Sequence, residues 1–594
     1  MNFLKRTVSC GNIREEHVGK QIILNGWVQK HRDLGGVIFV DLRDTTGIVQ
    51  LFFDPKTLDP ALTADARALR SEWVIAVTGT VAQRATGMIN EKMPTGRYEV
   101  HVTTLQILNK SATLPFQLDT EENISEEMRL KYRYIDLRRA SMQQTLKLRH
   151  EVLLTARNYF HEQGFCEIET PILTKSTPGG ARNFLVPSRL QPATFYALTE
   201  SPQMYKQLLM VGGFEKYFQI ARCFRDEALR ANRQPEFTQL DAEMSFADET
   251  DIQTVFEGLM SILWKKFLHF DIKLPLARYS YDDVFARFGS DKPDMRFGLE
   301  LVNLSEPFSA FNIKFISTVL EKGGRVGGVI AHDKRFSRTE LDHLTDYVTK
   351  ELGAQGLLWI RWREDGSLDS PVAKFLPVDC FEKLKNVVPY LTKSNTLFIV
   401  AGAYEDAWTT LGQLRLNLGK QLNLIKPNDY KMFWVTDFPM FEFDKETQRW
   451  QARHHQFTSP QDGWEKQNLK DIKARAYDLV CNGEELGGGS IRIHSSEVQS
   501  KIFDLLGMSQ EAANEKFRFL LEAQNLGYPP EGGIALGIDR LIMMLSTTDN
   551  MRNVIAFPKT NQGSCLMMQA PSAVDENQLN DLHIKSTYVA KKNS

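Results

Sequence analysis

The sequence lacks the features that would place the chain in several large classes of protein. No apolar run reaches the roughly 18–20 residues that cross a bilayer, and the N-terminus lacks the apolar core of a signal peptide. Neither sign of charge dominates, since 72 Lys and Arg stand against 74 Asp and Glu, for a formal net charge of −2. This balance argues against a histone-like nucleic-acid binder but allows local basic surfaces. We predict a soluble, cytoplasmic protein with no membrane partner.

Short motifs of common metal sites and hydrolases are also absent. The six cysteines form no CxxC pair and no HExxH occurs, so no zinc is expected and the thiols should be free in a reducing compartment. No GxSxG is present, which excludes the usual kind of serine hydrolase. The glycine run Gly487–Gly489 has no Gly-Lys-Ser/Thr after it, so a P-loop is not predicted.

The N-terminal part of the chain has the pattern of a small β-domain. Its short segments are rich in β-branched and aromatic residues and are separated by glycine and proline turns. The predicted strands are 22–30, 37–43, 48–53, 73–82 and 97–108. Five short strands in this length favour an OB-fold barrel, with a generic barrel or sandwich left open.

The 594 residues predict roughly three to five domains. A helical segment follows the barrel, with acidic residues first and basic ones later, as suits the helix dipole. Its basic residues form either a solvated face or a positive hinge that touches a nucleic-acid backbone. The predicted divisions are the barrel 1–108, the hinge 109–145, a catalytic domain in two parts (146–295 and 429–560), an inserted α+β domain 296–428 and a C-terminal extension 561–594.

Residues 221–246 predict two antiparallel strands joined by a basic loop. Arg225 and Glu227 lie two apart at the end of the first strand, and Phe237 begins the second. An arginine fork can hold a phosphate and an aromatic ring can stack on a base, so the pair of strands would make a platform for a nucleotide. An ordinary charged hairpin remains the alternative.

Two further segments carry residues of the same chemistry. Asp478 and Glu485 are carboxylates suited to Mg²⁺, which takes one or two protein oxygens together with ATP phosphates. A surface salt bridge is the plain alternative for Arg492 on the strand that follows. Asp539 near a helix start is typical of a cap, whereas Arg540 opposes the helix dipole there, which a bound ligand could offset.

In chain order these segments resemble the motifs of class II aminoacyl-tRNA synthetases. Residues 160–173 resemble motif 1, FRDE at 224–227 resembles motif 2, and GIDR at 537–540 resembles motif 3. LKYRYIDLR resembles subclass IIb, and GWVQKHRDLGGVIFVDLRD, FGSDKPDMR and GGGSIRIH resemble the bacterial aspartyl enzymes. The resemblance implies an α+β multidomain protein with an OB-fold barrel and an antiparallel-sheet catalytic domain that carries an inserted α+β domain.

The resemblance also implies an activity. The chain would be an ATP-dependent aspartate–tRNA ligase that forms aspartyl-adenylate and then transfers aspartate to the 3′ end of tRNA(Asp), with Mg²⁺ as cofactor. Motif 1 lies at the dimer interface in this family, so a homodimer is expected. The alternatives are a relaxed enzyme that also charges tRNA(Asn), an asparaginyl or lysyl sister enzyme, and a non-catalytic RNA-binding paralogue.

Site residues follow from the resemblance, position by position. Three of them are implied as catalytic: Arg225, Glu227 and Arg540. Those implied to bind ATP are Arg225, Asp226, Glu227, Gln234, Phe237, Glu485, Gly537, Ile538, Asp539 and Arg540. Those implied to bind aspartate are Ser201, Gln203, Lys206, Arg225, Asp241, His454 and Arg492. Asp478 and Glu485 would hold the metal, Arg32, Phe39 and Gln50 would contact the tRNA anticodon, and Leu34 would favour tRNA(Asp) alone.

Two loops depart from the family pattern. The usual TPEGARD reads TPGGARN at 177–183, so Gly179 and Asn183 replace two acids, one of which contacts the substrate ammonium in the family. The usual HHPFT has Gln456 in place of its proline. Both changes predict weaker aspartate binding or altered loop closure.

Overall fold

The computed structural model describes residues 3–118, 124–176, 182–230, 232–363, 365, 367–444 and 446–587. The chain divides into two compact units, with the boundary between Ile124 and Ser125. No helix in these described ranges is long and apolar enough to cross a membrane.

The first unit is a closed five-stranded barrel, as the sequence predicts. Its strands are β1 (Gln21–Leu34), β2 (Val37–Asp44), β3 (Gly47–Phe53), β4 (Val74–Gln83) and β5 (Tyr98–Asn109), and helix α1 (Pro60–Ala68) follows β3. The strand order around the barrel is β1-β2-β3-β5-β4. Buried and half-buried residues alternate along β2, because successive side chains point to opposite faces of a strand. The apolar set fills the barrel and the other set forms its outer surface.

The second unit begins with α2 (Glu126–Lys131), α3 (Arg133–Asp136) and α4 (Ala140–Glu162). Arg129, Arg133 and Arg139 of the predicted hinge form neither a solvated face nor a free positive surface for a nucleic acid. The carboxylate of Asp136 is fully buried and pairs with Arg129, Arg133 and Arg139, at 3.0, 2.6 and 3.3 Å. Arg133 also donates to the carbonyls of residues 552, 555 and 556. These arginines therefore attach the helices to the end of motif 3, because a buried cation requires partners.

A large, mostly antiparallel sheet forms the centre of this unit. The elements up to the insertion are β6 (Cys166–Glu167), β7 (Leu173–Thr174), β8 (Leu185–Pro187), β9 (Phe195–Leu198), α5 (Gln203–Val211), β10 (Lys216–Phe224), β11 (Glu236–Ser245), α6 (Glu249–Leu268), β12 (Ala277–Ser280) and α7 (Tyr281–Phe288). Strands β10 and β11 pair in antiparallel register from Lys216↔Met244 to Phe224↔Glu236. The predicted platform hairpin therefore exists, and Arg225 lies just beyond its first strand.

Residues 302–402 form a separate five-stranded sheet inside the predicted insertion. Its elements are β13 (Val302–Asn303), α8 (Ser305–Ser309), α9 (Lys314–Glu321), β14 (Arg325–Ala331), α10 (Arg338–Asp346), β15 (Leu358–Trp362), β16 (Leu368–Asp369), α11 (Cys380–Val387), β17 (Thr396–Gly402) and α12 (Tyr404–Gln421). The strand order is β13-β14-β17-β15-β16.

The chain then returns to the large sheet. The remaining elements are β18 (Met432–Thr436), β19 (Phe441–Asp444), β20 (Arg449–Ala452), β21 (Ala476–Cys481), β22 (Glu484–Ile491), α13 (Ser496–Leu505), α14 (Gln510–Gln524), β23 (Glu531–Gly537), α15 (Ile538–Leu545) and α16 (Glu576–Asp581). The order of the eight strands is β12-β18-β21-β22-β23-β11-β10-β6. Motif 2 on β10–β11 and motif 3 on β23–α15 are therefore neighbours in space, with β22 beside them.

The glycines of β22 permit this close packing. A Cβ at Gly487 would lie 2.5 Å from the carbonyl oxygen of Ala535 on β23, and one at Gly488 would lie 2.6 Å from Oδ1 of Asp478 on β21. The sequence interpretation, that the run lets backbone approach a ligand, is thus incomplete. Gly487 is required for contact between strands, while Gly488 leaves space in front of a carboxylate.

Candidate active site

A cleft of about 300 Å³ lies where β10, β11, β22 and β23 meet α15. Most residues implied to bind ATP contribute to its lining. These are Arg225, Glu227, Gln234, Phe237, Glu485, Gly537, Asp539 and Arg540. The structure therefore collects residues that are as much as 315 positions apart in the sequence, from Arg225 to Arg540.

Arg225 and Phe237 face each other inside this cleft. The guanidinium carbon of Arg225 lies 5.0 Å from the centre of the Phe237 ring, which is within cation–π range. The backbone amide of Arg225 donates to the carbonyl of Pro235 at 2.9 Å. Its Nε is buried and has no partner among the described contacts. A buried unpaired donor costs about 1–3 kcal/mol, and a phosphate oxygen would relieve that cost.

The residues of GIDR differ in what they do. Arg540 donates to the carbonyl oxygen of Glu485, and its Nε lies 3.6 Å from Oε2 of Glu484. Asp539 is not the helix cap that the sequence suggests, since its carboxylate accepts from the Thr238 amide at 2.8 Å and from Arg149 at 2.6 Å. Ile538 is fully buried in the core. The side chains of Ile538 and Asp539 are therefore engaged within the protein, although Asp539 still borders the cleft.

Two other residues implied to bind ATP, Gln234 and Asp226, make their described contacts with backbone groups of the protein. Gln234 donates to the carbonyl of Lys559 at 3.0 Å and accepts from its amide at 2.7 Å, so both ends of the side-chain amide are in use. Asp226 is exposed and outside the described lining, and its own amide donates to the carbonyl of Arg182 at 2.9 Å. Gln234 thus positions the segment after motif 3, and no contact of Asp226 points to ATP.

Asp478 and Glu485 have the chemistry of a divalent-cation site. Both face Gly488, where a Cβ would lie 2.6 Å from Asp478 Oδ1 and 3.6 Å from Glu485 Oε1. Burial, followed by the charge of Glu485, raises the pKa of Asp478 well above its usual value. A cation between the two carboxylates would reverse that repulsion, so the residues fit Mg²⁺. No group of three or more potential metal ligands occurs in the part of the chain that the structure describes.

A second site, called the pocket below, is a cluster of fully buried charged side chains next to the cleft along β11. Lys206 Nζ is 2.9 Å from Asp241 Oδ1 and 3.3 Å from Glu243 Oε2. Arg492 binds the same Glu243 carboxylate with both Nε (2.7 Å) and a terminal nitrogen (3.2 Å). Oδ2 of Asp241 is buried without a partner among the described contacts. Two cations and one unpaired carboxylate oxygen are thus concentrated among the residues that the sequence resemblance implies for aspartate.

The other implied aspartate residues line the start of α5. Ser201 accepts from the Gln203 amide at 3.2 Å, and Gln203 donates to the side chain of Gln207 at 3.0 Å. From there a chain of contacts continues through the hydroxyl of Tyr528 to Glu531, at 2.9 and 2.5 Å. Gln203 is therefore oriented by a buried polar network.

The sequence interpretation missed residues that complete this pocket: Gln207, Glu243, Ser490, Tyr528 and Glu531. One signal was available, because Asp241 and Glu243 alternate on β11 and so share a face. Burial would raise the pKa of Glu243, but Arg492 and Lys206 outweigh burial and lower it. Burial and the charge of Glu243 raise the pKa of Glu531 well above its usual value. The pKa values of the two neighbouring carboxyl groups are therefore shifted in opposite directions.

His454 and His455 have rings whose pKa values are both lowered by burial. Burial, then the charge of Arg453, lowers the pKa of His454 to about 4, and its Nε2 has no partner among the described contacts. Burial, then Arg492, lowers the pKa of His455 well below its usual value, and its Nε2 accepts from Arg492 at 2.8 Å. His455 was not among the implied residues, although it directly orients Arg492.

The two departing loops are only partly visible. Gly179 lies outside the described residues, while Asn183 accepts from the Ser176 hydroxyl at 3.0 Å. The carbonyl of Gln456 accepts from Gln499 at 2.9 Å. This contact links the HHQFT segment to α13, so the segment has an anchor that does not depend on proline.

The first unit carries the implied anticodon residues on one outer surface. Arg32 pairs with Asp41 at 2.7 Å and lies opposite Phe39 in the β1–β2 register. Gln50 donates to Glu99 at 3.0 Å. Beside them, the rings of Phe39, Phe52 and His101 are in contact, with centroids 5.6 and 4.6 Å apart. Leu34, at the end of β1, is 62% exposed.

Comparisons with known families agree with both units. Residues 125–561 match tRNA synthetases class II (D, K and N), and residues 22–108 match the OB-fold nucleic acid binding domain. The solved asparaginyl-tRNA synthetase of Pyrococcus horikoshii, complexed with asparaginyl-adenylate, has the same fold with a TM-score of 0.58 at 20% identity, covering 94% of this chain and 99% of that one. A putative aspartyl-tRNA synthetase of Leishmania major gives 0.59 at 18% identity, covering 94% of each. Fold and site together define a class II aminoacyl-tRNA synthetase, an ATP-dependent ligase.

More similar relatives indicate which family of class II synthetases the chain belongs to. The aspartate–tRNA ligase of Macrococcus caseolyticus is 49% identical over 586 residues, covering 98% of each chain. The aspartate–tRNA(Asp/Asn) ligase of Anoxybacillus flavithermus is 50% identical over 592 residues, covering 99% of each. The chain belongs to the aspartate–tRNA ligase family.

The lowered pKa of His454 predicts a pH dependence of stability. Because the pKa falls from 6.5 when unfolded to about 4 when folded, the unfolded chain binds the proton first as pH drops. The stability that the neutral His454 ring contributes is complete above pH 6.5 and is lost progressively as the pH falls to about 4. In urea unfolding, the wild type should lose more free energy of unfolding than His454→Gln between about pH 7.5 and about pH 5. An equal loss in both proteins would contradict the prediction.

Proposed function

We propose that the chain activates L-aspartate with ATP and transfers it to the 3′ end of tRNA(Asp). The observation that carries the proposal is the convergence of Lys206 and Arg492 on one buried carboxylate, Glu243, directly beside the nucleotide cleft. On β11, Gln239 lines the cleft and Asp241, two residues further on the same face, lines the pocket. An amino acid and ATP would therefore meet along one strand.

The chemistry requires positioning and charge stabilisation more than a protein nucleophile. The α-carboxylate of aspartate attacks the α-phosphorus of ATP, the bond to the β-phosphate oxygen breaks, and pyrophosphate leaves. The terminal ribose hydroxyl of the tRNA then takes the aspartyl group and AMP leaves. Arg225 would neutralise the α-phosphate, Glu227 would help place ATP, and Phe237 with Arg540 would sandwich the adenine.

Class II synthetases use ATP with divalent metal ions, and we propose that the ion here is Mg²⁺, bound by Asp478 and Glu485. Such an ion neutralises charge on the phosphates. The fit rests on the two carboxylates and on the space left by Gly488.

Aspartate would be selected over asparagine by charge. A substrate side-chain carboxylate can pair with Lys206 and Arg492, whereas an amide presents N–H donors to two cations that have only donors. Asp241, with its unpaired Oδ2, and Gln203 would hold the ammonium group. A site built around hydrogen bonds to one group rejects an analogue strongly, because its own buried groups are left unpaired.

Arg492→Ala should reduce aspartate-dependent ATP–pyrophosphate exchange by about 100-fold or more, because it removes one partner of a buried charge pair. The variant should still fold, since Lys206 continues to neutralise Glu243. Arg475→Ala is the control, because it breaks a two-bond arginine–carboxylate pair with Glu249 that lies outside the pocket and is more exposed. Near-normal exchange by Arg492→Ala would overturn the assignment. A non-catalytic RNA-binding paralogue would bind tRNA and show no exchange even as wild type.

Which tRNAs the enzyme charges is a separate question, because relatives are named both as aspartate–tRNA and as aspartate–tRNA(Asp/Asn) ligases. We propose contact of Arg32, Phe39 and Gln50 with the anticodon, where the half-buried rings of Phe39 and Phe52 can stack on bases. Purified tRNA(Asp) and tRNA(Asn), aminoacylated side by side, should show preference for tRNA(Asp). Leu34→His should raise charging of tRNA(Asn) without changing pyrophosphate exchange. Equal charging of both tRNAs by the wild type would favour the relaxed alternative.

We also propose a homodimer. The small sheet β7-β9-β8 exposes apolar side chains that are between 45% and 58% accessible, which is typical of a surface covered by a partner. They are Ile172, Leu173, Leu185, Phe195 and Tyr196. Sedimentation should give about twice the 67.9 kDa chain mass. The double variant Leu173→Glu, Phe195→Glu should be monomeric, while Leu526→Glu, which changes a more exposed leucine elsewhere, should not. A monomeric wild type would refute this proposal.

A further inference from the structure

The turn that leads into the insertion brings a lysine into the nucleotide cleft. Lys292 follows α7 in the FGSDKPDMR segment and lines the cleft together with Arg225 and Glu485. Its Nζ lies 3.9 Å from Oε2 of Glu485, and its side chain is 43% exposed. The ammonium is thus at the carboxylate end of the cleft and is not consumed by a close hydrogen bond.

The backbone around Lys292 is held from the insertion. Gly289 has φ +64°, and a Cβ there would overlap the carbonyl of Trp408 on α12. Arg415, also on α12, is buried and donates to the carbonyls of Asp294 and Phe297, both at 2.8 Å. A fixed backbone with an ammonium that makes no close hydrogen bond is the arrangement expected of a preorganised ligand contact.

Charge identifies the ligand. The cleft lining includes the carboxylates of Glu227 and Glu485, and Asp478 faces Gly488 together with Glu485. These carboxylates suit a cation and repel an unaccompanied polyanion. A bound triphosphate therefore needs cations at the end where the metal would be bound. Arg225 serves the α-phosphate in the proposed function, and Lys292 is next to the metal carboxylate Glu485, which is where the outer phosphates of a metal–ATP complex would lie.

We propose that Lys292 binds the β- and γ-phosphates of ATP, the part that leaves as pyrophosphate; this inference rests on the proposed function. Lysine acts there as a point charge on a flexible stem, which suits a group that must bind and then depart. The contrasting role is a counter-ion that neutralises Glu485 only until a metal binds.

The test is direct binding by calorimetry on the full-length chain, with Mg²⁺–ATP and AMP as separate probes and no aspartate present. Lys292→Gln should weaken ATP binding by about 10- to 100-fold, the range of one charge-assisted hydrogen bond, and change AMP binding by less than about twofold. Lys292→Arg should restore most of the ATP affinity. Lys426→Gln, at an exposed lysine outside the cleft lining, is the matched control and should behave as wild type.

Two results would overturn the inference. Equal weakening of ATP and AMP would indicate a structural role, and unchanged ATP affinity at saturating Mg²⁺ would indicate a counter-ion. Wild-type protein that binds ATP but shows no aspartate-dependent exchange would instead contradict the proposed function. The ATP–AMP comparison would remain interpretable in that case.

Discussion

Two buried cations, Lys206 and Arg492, share the single carboxylate of Glu243 at the centre of the large sheet. Removing such charges from water costs several kcal/mol per ion, and only partners of good geometry offset that cost. Glu243 supplies those partners because a glycine, Gly533, lies opposite it on β23, where any Cβ would overlap the carboxylate. The charge pair, the strand register and the absence of a side chain at position 533 therefore depend on one another.

The same dependence explains the polar residues around the pair. His455 must be neutral to accept from Arg492, and the arginine itself helps to lower the pKa of the ring. Burial and the charge of Glu243 both raise the pKa of Glu531, the first residue of the neighbouring strand β23. In the proposed function, the substrate carboxylate competes with Glu243 for the donors of Lys206 and Arg492.

Much of the fold could be predicted from the sequence, since alternation and turn residues indicate the barrel strands to within a few residues. The nucleotide cleft was accessible too, because Arg225, Phe237 and Arg540 belong to compact local motifs. The contacts of Asp539 and Gln234 could not be found in this way, since their partners Arg149, Thr238 and Lys559 lie 301 to 390 positions away in the sequence. Contacts between residues far apart in the sequence leave no local pattern. In the sequence Glu243 is one alternating residue of a strand, and only the fold brings Arg492 against it.

The insertion has a topological reason for its position. Strands β12 and β18 are parallel neighbours at the edge of the large sheet, and a parallel pair needs a crossover of a dozen or more residues. The chain makes that crossover with the whole segment from α7 to α12. Because Arg415 of α12 fixes the carbonyls of residues 294–299, the crossover also determines where the preceding turn lies. A domain added at a sheet edge can in this way set the position of a side chain in the cleft, without contributing a strand to the sheet that contains it.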